Sequence, residues 1–291
     1  MVYPFCCNTA CFFNLTGHGC PHWNVVLPIT LNVARIITKM KNKIAIIILA
    51  AGKGTRMKSN KAKVLHEIMG RAMVSFVVET AGAVAGSNVI LVIGHQAEQV
   101  KAVVDAEGVE LTCAIQKEQL GTGHAVLSAV PYLPDEVQEV IILCGDVPLL
   151  SAETIRSLRD DHIRATRDIS ILAVTVDNPT GYGRILMDQD RNLTGIVEEA
   201  DANTAQKQIK LINSGIYCVS KDCLADALAR VKPDNAQGEF YLTDIIAIGY
   251  QEGKRVGVLV SADADEIIGV NTIEDLRAAE TIMRSRQSEI A

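Results

Sequence analysis

The chain has 291 residues and a formal net charge of −6, with 48% hydrophobic and 21% charged residues. This length suits one large α/β domain or two modest ones, with a core that needs no disulfide or metal to hold it. The mildly acidic balance excludes general nucleic-acid binding, which needs a positive field to neutralise phosphates. A small polyphosphate can still bind where a few basic residues are concentrated.

Neither the apolar runs nor the cysteines indicate a membrane or a secreted protein. No run approaches the roughly 20 apolar residues of a membrane-spanning helix, and Ile44–Ala51 is short enough to be a buried strand. The eight cysteines form no CxxC pair, and Cys113, Cys144, Cys218 and Cys223 have small apolar neighbours. We therefore expect free thiols in a reducing, cytoplasmic compartment.

The first 39 residues differ in composition from the rest, because they contain no Asp or Glu and show no regular period. Their candidate zinc ligands are Cys7, Cys11, His18, Cys20 and His22. The spacing of these residues matches no established zinc motif, and a secretory signal would need its basic residues before the apolar stretch. We expect residues 1–39 to be a disordered tail or the product of a start codon assigned too early, and residues 40–291 to be the functional domain.

From Met40 onward, apolar strands alternate with helices. The strands predicted first are Ile44–Ala50, Val89–Ile93, Val109–Ile115 and Val140–Cys144, and the helices are Val74–Ala85, Ala97–Val104, Thr122–Val130 and Ser151–Ile163. Strands that are apolar at nearly every position are typical of sheets covered on both faces. The alternation predicts an α/β fold with a mostly parallel sheet and helices on both faces.

The pattern changes after the predicted strand Ile169–Val176. Three further strands follow with little helix between them, at Gly183–Asp188, Leu193–Glu198 and Ile209–Val219. We expect them to form a small antiparallel insertion beside the main sheet. The last predicted elements are the helices Leu224–Val231, Leu242–Gln251 and Thr272–Ser285 and the strand Val256–Val260.

A glycine-rich loop, Leu49–Lys63, directly follows the first strand. Ligands of open α/β sheets lie at the carboxyl ends of strands. Gly52 and Gly54 allow a sharp turn and a close approach, so that backbone amides can point at phosphate oxygens. Arg56 and Lys63 add two cations. The loop predicts a phosphate site, and the alternative is a plain turn with solvated cations.

Two common nucleotide motifs do not match this loop. The dinucleotide fingerprint GxGxxG needs a third glycine where the chain has Met57, which weakens the hypothesis of an NAD-dependent dehydrogenase. The P-loop pattern GxxxxGK[ST] is also absent from the loop.

The loop and eight further segments resemble the sugar-1-phosphate nucleotidylyltransferases, in particular the N-terminal uridylyltransferase half of the bifunctional GlmU enzymes. The segments read LAAGKGTRM (49–57), KVLH (63–66), QLGTGHA (119–125), GDVPL (145–149), PTGYGRI (179–185), GIVE (195–198), NSGI (213–216), NAQGEFYLTD (235–244) and GVN (269–271). The resemblance covers about residues 43–284. It implies a Rossmann-like nucleotide-diphospho-sugar transferase fold, with the antiparallel insertion binding the sugar.

The resemblance implies transfer of UMP from UTP to N-acetylglucosamine-1-phosphate, with release of pyrophosphate. In such a reaction a sugar phosphate oxygen attacks the α-phosphorus in line, and catalysis is mostly positioning and charge neutralisation. Neither nucleic acid nor a membrane is an expected partner. Other products stay open, namely UDP-glucose, dTDP-glucose and UDP-N-acetylgalactosamine, and so does a non-catalytic sensor of nucleotide sugars.

The resemblance also implies a role for each matched residue. The nucleotide is expected at Leu49, Ala50, Ala51, Gly52, Gly54, Thr55, Arg56, Lys63, Gln116, Gly121 and Thr122, the sugar phosphate at Thr122, Gly183, Glu198 and Asn213, and Mg²⁺ at Asp146 and Asn271. Arg56 and Lys63 are the expected catalytic residues, because cations stabilise charge that develops on phosphates. Carboxylate and amide oxygens suit Mg²⁺, which prefers hard ligands.

Each assignment has a plainer alternative. Asp146 could be a cap or turn residue, and Asn271 could cap the helix that follows it. Gln116 could be a solvated strand end. Glu198 could form a solvated charge pair with Glu199, and only the GIVE match selects Glu198.

Three features depart from the family. Ala62 stands where a proline is usual, which predicts a less rigid loop. Cys144 stands where tyrosine is frequent, in a position that could alter the uridine pocket. The sequence reaches Ala291 without the hexapeptide repeats that carry acetyltransferase activity in the bifunctional enzymes. We therefore expect uridylyl transfer alone, and the sequence sets no oligomeric state.

Overall fold

The computed structural model describes residues 43–267 and 269–290, and the predictions for residues 1–39 lie outside the described residues. The strands are β1 (Ile44–Ala50), β2 (Glu67–Ile68), β3 (Arg71–Ala72), β4 (Val89–Ile93), β5 (Thr112–Ile115), β6 (Glu139–Cys144), β7 (Ile169–Thr175), β8 (Arg184–Met187), β9 (Leu193–Val197), β10 (Leu211–Ser220) and β11 (Val256–Val260). The α-helices are α1 (Met73–Ala85), α2 (Ala97–Ala106), α3 (Thr122–Ala129), α4 (Ala152–Arg164), α5 (Lys221–Leu228), α6 (Asp244–Gln251) and α7 (Ile273–Ile290).

Strand β1 supplies side chains to two separate cores. Ile44, Ile46 and Ile48 pack on one face with residues of α1, α2 and α4. Ala45 and Ile47 pack on the other face with residues of α3, α5 and α6. Because successive side chains of a strand point to opposite faces, a strand buried on both sides must be apolar throughout. This burial explains the continuous apolar run in the sequence.

The main sheet has the strand order β11-β7-β10-β6-β1-β4-β5. Strand β1 pairs in parallel with β4 and β6, β4 with β5, and β7 with β11. Strand β10 runs antiparallel between β6 and β7. The predicted α/β class, with a mostly parallel sheet and helices on both faces, is confirmed.

One strand lies elsewhere than predicted. The segment Ile209–Val219 was expected in the insertion, but Leu211–Ser220 forms β10 inside the main sheet. The physical reason is burial, since Ile216–Val219 are covered at every position, as only a strand between two others can be. Of the three strands predicted in the insertion, only β8 and β9 lie off the main strand order, joined to it where Arg184 pairs with Ile212.

Smaller elements follow or depart from the predictions. The β2–β3 hairpin was not predicted, because two-residue strands have no detectable period. Helix α5 begins at Lys221, three residues before the predicted start, since its first turn is polar. Ser151 caps α4, and its Oγ accepts a hydrogen bond from the Thr154 N–H at 3.1 Å. Among the helices of the described residues, none combines the length and the hydropathy that a membrane span requires.

The cysteines of the described chain are free, as predicted. Cys218 and Cys223 are buried, and Cys113 and Cys144 are half-buried. Burial raises the pKa of the Cys144 thiol to about 12, with a further contribution from the Asp146 carboxylate. These thiols are neutral packing groups. The reducing compartment stays a prediction.

His162 is a buried titratable group in the layer between α4 and the sheet. It is 3% exposed, and its Nδ1 lies 2.9 Å from the Oγ of the fully buried Ser170. Burial lowers the pKa of His162 to about 4, and the nearby Arg167 guanidinium adds to this shift. The native state therefore holds a neutral imidazole, whereas the unfolded chain protonates it below about pH 6.5.

We predict that His162 weakens the fold in acid. The contribution of the neutral His162 to the unfolding free energy is fully present above the pKa of the unfolded chain. It is lost as the pH falls towards 4, because only the unfolded chain gains a proton in this range. The glutamine of His162→Gln cannot titrate. Between pH 7 and pH 4.5, the unfolding free energy of wild type should therefore fall by about 2–3 kcal/mol more than that of His162→Gln. Urea titrations at both pH values measure this difference. His95→Gln serves as the control, and a His162→Gln variant with wild-type pH dependence would contradict the assignment.

Candidate functional site

A cavity of about 480 Å³ opens at the carboxyl ends of β1 and β6. The two strands pair in parallel with Leu49 opposite Cys144, and the Gly145 N–H donates to the Leu49 carbonyl at 2.9 Å. The loops that follow both strands therefore meet. Ten of the eleven predicted nucleotide residues line the cavity, all except Arg56, and Asp146 lines it too.

The glycine-rich loop presents backbone amides to this cavity. The N–H groups of Gly52, Lys53 and Gly54 have no hydrogen-bond partner among the described residues, and all three residues line the cavity. Gly54 has a φ of +68°, and a Cβ on it would lie 2.4 Å from the Cβ of Lys63. The loop thus folds closely onto Lys63 at a position that only glycine can occupy. Unpaired amides of this kind are suited to phosphate oxygens.

Ala62, the residue that replaces the family's proline, is fully buried. Its N–H donates to the Gln96 Oε1 at 2.7 Å, and the Gln96 Nε2 donates to the Asn60 carbonyl at 2.7 Å. A proline could not make the first of these bonds. Gln96 therefore ties this part of the loop to the start of α2. These hydrogen bonds compensate for the absence of the proline that would otherwise make the loop rigid.

We predict that the two loop glycines differ in their tolerance of alanine. Gly54→Ala should lower the unfolding free energy by about 2 kcal/mol, because the residue is left-handed and its Cβ meets Lys63. Gly52→Ala should stay within about 1 kcal/mol of wild type, because open space surrounds its Cβ position. Urea unfolding at pH 7 compares the two variants. Equal losses in both would contradict the close packing of Gly54 on Lys63.

Lys63 joins two oxygens from distant parts of the chain. Its ammonium contacts the Asp146 carboxylate and donates to the Asn271 Oδ1 at 3.1 Å. The Val270 N–H donates to the Asp146 carbonyl at 2.8 Å, which holds the second segment beside the first. The Lys63 and Asp146 side chains are only 18% and 15% exposed. Their attraction is therefore less screened by water than that of a surface pair.

The capping alternative for Asn271 is wrong. Thr272 caps α7, since its Oγ1 accepts from the Asp275 N–H at 3.1 Å. The Asp275 carboxylate in turn accepts from the N–H groups of Asn271 and Thr272, both at 2.9 Å. This reciprocal arrangement satisfies the helix start without the Asn271 side chain. The Asn271 Oδ1 is left to face Lys63.

Gln116, Gly121 and Thr122 lie together at another side of the cavity. Gln116 is 3% exposed, so the alternative of a solvated strand end is wrong. Its Nε2 donates to the Gly121 carbonyl at 3.1 Å. Gly121 has a φ of +110°, and a Cβ on it would lie 2.6 Å from the Phe240 carbonyl oxygen. The Thr122 Oγ1 accepts from the Leu242 N–H at 3.0 Å, so the 240–242 segment holds this side of the cavity.

The adjacent carboxylates Glu198 and Glu199 have different surroundings, and they do not form the solvated pair considered as an alternative. Glu199 accepts a hydrogen bond from the buried Arg184 at 2.6 Å and another from the Gly181 N–H at 3.1 Å. The hydrogen bond from Arg184 lowers the pKa of Glu199. Glu198 accepts from the Thr243 hydroxyl at 3.2 Å, and burial raises its pKa. Glu198 is thus the carboxylate without an ion pair.

The predicted sugar residues Glu198 and Asn213 both lie against Gly183, and none of the three lines the cavity. A Cβ on Gly183 would lie 3.3 Å from the Glu198 Oε2, and the Gly183 carbonyl accepts from the Asn213 N–H at 2.8 Å. The Asn213 amide already bonds within the fold, accepting from the Gly215 N–H at 3.0 Å and donating to the Tyr217 hydroxyl at 2.9 Å. A direct sugar contact from Asn213 therefore requires a shared or exchanged hydrogen bond.

Several residues of the cavity lining were not predicted from the sequence, and one predicted residue, Arg56, lies outside the lining. Lys53, Gln119 and Glu239 line the cavity, and the available signal was their position inside three of the matched segments. Arg56 is exposed, and its Nη1 lies 4.0 Å from the position of a Cβ on Gly181. Arg56 thus lies next to the turn that precedes Gly183 rather than in the lining of the cavity.

Comparison with known proteins identifies the family. Residues 46–239 match the family described as the MobA-like NTP transferase domain. The chain belongs to this family. The predicted nucleotidyltransferase family is thereby confirmed.

Relatives of this NTP transferase domain include several proteins named bifunctional protein GlmU. The protein from Caldanaerobacter subterraneus subsp. tengcongensis is 47% identical over 243 residues, which cover 84% of this chain and 52% of that protein. The one from Corynebacterium aurimucosum is 43% identical, with 85% and 52% covered, and the one from Desulfotalea psychrophila is 42% identical, with 86% and 73% covered. The chain spans about half the length of most of these relatives.

Solved structures share the fold of this NTP transferase domain. HddC from Yersinia pseudotuberculosis, complexed with GMP-PN, has a TM-score of 0.61 at 22% identity, with 82% of this chain and 99% of that chain covered. A Bacillus anthracis protein named as a glucose-1-phosphate thymidylyltransferase, in complex with sucrose, has a TM-score of 0.65 at 20% identity, with 83% and 95% covered. At these identities the likeness supports the nucleotide-sugar transferase fold alone.

Proposed function

We propose that the chain transfers UMP from UTP to N-acetylglucosamine-1-phosphate, with Mg²⁺, and releases pyrophosphate. The observation that carries this proposal is the meeting of the glycine-rich loop, Lys63 and Asp146 at one cavity, at the carboxyl ends of two parallel strands. The relatives named GlmU, at 42% to 47% identity, favour this member of the family.

The amides of the loop and the cations beside it bind the triphosphate. The unpaired N–H groups of Gly52, Lys53 and Gly54 donate to the β- and γ-phosphates. Lys63, and Arg56 from the edge of the site, stabilise the charge that develops as the bond between the α-phosphorus and the bridging oxygen breaks. Pyrophosphate leaves from this loop, and the new bond joins the α-phosphorus to the sugar phosphate oxygen.

Gln116 and Gly121 read the base. The Gln116 Oε1 and the Gly121 N–H form no hydrogen bond within the described residues, whereas the Gln116 Nε2 is held by the Gly121 carbonyl. One free acceptor and one free donor match the N3–H and a carbonyl of uracil. Thymine offers the same edge, so a dTTP-dependent enzyme is the second candidate.

The residues Asp146 and Asn271 fit a divalent cation. They already direct two hard oxygens at one cation, the Lys63 ammonium. A site with one carboxylate and one amide suits Mg²⁺ that keeps phosphate and water ligands, and the described residues hold no group of three or more His, Cys, Asp or Glu side chains that would complete a cage. Mg²⁺, when bound, offsets the charge of the phosphates. Lys63 is then available to the phosphates.

We predict that Asp146→Asn lowers Mg²⁺-dependent turnover by at least about 100-fold, because the only carboxylate of this pair is lost. Pyrophosphate release measures turnover. Asp160→Asn, on the exposed side of α4, is the matched control and should keep wild-type activity. Unchanged activity of Asp146→Asn would refute the metal assignment, and binding of nucleotide sugar without any turnover in wild type would favour a sensor.

We further predict that UTP with N-acetylglucosamine-1-phosphate gives the highest kcat/KM in a panel of substrates. The panel combines UTP, dTTP, ATP and GTP with the 1-phosphates of N-acetylglucosamine, N-acetylgalactosamine and glucose. Preference for dTTP or for glucose-1-phosphate would replace the first candidate by another member of the family.

A further inference from the structure

An ion pair between the buried Arg184 and the half-buried Glu199 lies next to the turn that leads to the predicted sugar residues. Arg184 is 1% exposed, and its Nη2 donates to the Glu199 carboxylate at 2.6 Å. Its Nη1 donates to the Tyr182 carbonyl, and its Nε is buried without a partner. Burying a guanidinium is costly, so an ion pair that buries one often contributes little net stability. We therefore consider the backbone conformation that this pair fixes.

The pair holds the turn Pro179–Gly183, hereafter the 179–183 turn, at two points. Glu199 accepts from the Gly181 N–H at 3.1 Å, and Arg184 donates to the Tyr182 carbonyl. The turn closes on itself where the Tyr182 N–H donates to the Pro179 carbonyl at 3.2 Å. One backbone donor and one backbone acceptor of the turn are therefore bound to a charged group.

The 179–183 turn touches parts of both predicted substrate sites. On the sugar side, Gly183 lies against the Glu198 carboxylate. On the phosphate side, the Arg56 guanidinium lies against Gly181. A shift of the turn would therefore move residues that border the predicted sugar-phosphate site.

We propose that Arg184 and Glu199 are positioning residues for the sugar-1-phosphate, while the neighbouring Glu198 remains to contact the sugar. This inference rests on the proposed function. Glu199 acts through the 179–183 turn, and Glu198 is kept out of the ion pair. Both carboxylates are thus required, for different reasons. The nucleotide side depends much less on the pair, because Gln96 holds the glycine-rich loop at Ala62 and the Gly121 carbonyl holds Gln116.

Steady-state kinetics of Glu199→Gln test this division. We expect the KM for the sugar-1-phosphate to rise about tenfold, with kcat and the KM for UTP within about twofold of wild type. Lys207→Met is the matched control, because Lys207 lies 3.8 Å from Glu199 on the exposed side, and it should behave as wild type. Glu198→Gln should lose more sugar-phosphate affinity than Glu199→Gln.

A second variant tests the partner residue. Arg184→Lys keeps the charge but loses the planar fork that reaches Tyr182 and Glu199 together. It should raise the same KM, and the double variant should add little to either single change, because both remove one interaction. If the Arg184 variant does not fold, Glu199→Gln carries the test. Equal increases in both KM values, or no change in either, would overturn the proposal.

Amide hydrogen exchange gives a readout that needs no substrate. In Glu199→Gln, the peptide containing the 179–183 turn should exchange at least about tenfold faster, with peptides of β1 and β6 unchanged. Unchanged exchange in the turn would overturn the positioning role, whatever the enzyme acts on. Faster exchange in the variant, together with a wild type that turns over no sugar-1-phosphate, would instead refute the proposed function and leave the pair's hold on the turn intact.

Discussion

The parallel pairing of β1 with β6 is the constraint on which the site depends. It sets Leu49 opposite Cys144, so the loops that follow both strands leave the sheet at one edge. The glycine-rich loop then returns Lys63 to Asp146 across this edge. Ile44, Ile46 and Ile48 face one core, and Ala45 and Ile47 face the other. A slip of one residue would exchange these two sets and disrupt the packing of both cores, so the register is strongly specified.

Burial also decides how much of the fold the sequence predicts. Strands β1 and β4 agree with their predicted bounds, since an uninterrupted apolar run between turn residues has few other interpretations. The position of β10 in the sheet was not predictable in the same way. Its pattern identifies a strand, but the order of strands depends on contacts between residues far apart in the chain. The β2–β3 hairpin is too short to have any pattern.

The sequence likewise predicts some features of the candidate site and not others. Residue types and matched segments identify Lys63, Asp146 and Asn271, and the fold joins these residues from positions up to 208 apart in the sequence. Sequence alone could not tell whether Asn271 or Thr272 caps α7, because both are good capping residues and only geometry separates them. It also could not show that Gln116 is buried, since a polar residue after a strand is usually solvated.

The opposite directions of the two glutamates after β9 limit the changes in length that the β8–β9 hairpin can accept. Consecutive side chains at the end of a strand point in opposite directions, so Glu198 and Glu199 reach different surroundings although they are chemically identical. Inserting or deleting one residue between Leu193 and Glu198 would exchange these directions. The net charge and composition would barely change, yet Arg184 would lose its partner and the sugar side its unpaired carboxylate. This hairpin should therefore tolerate substitutions on its outer face far better than changes in its length.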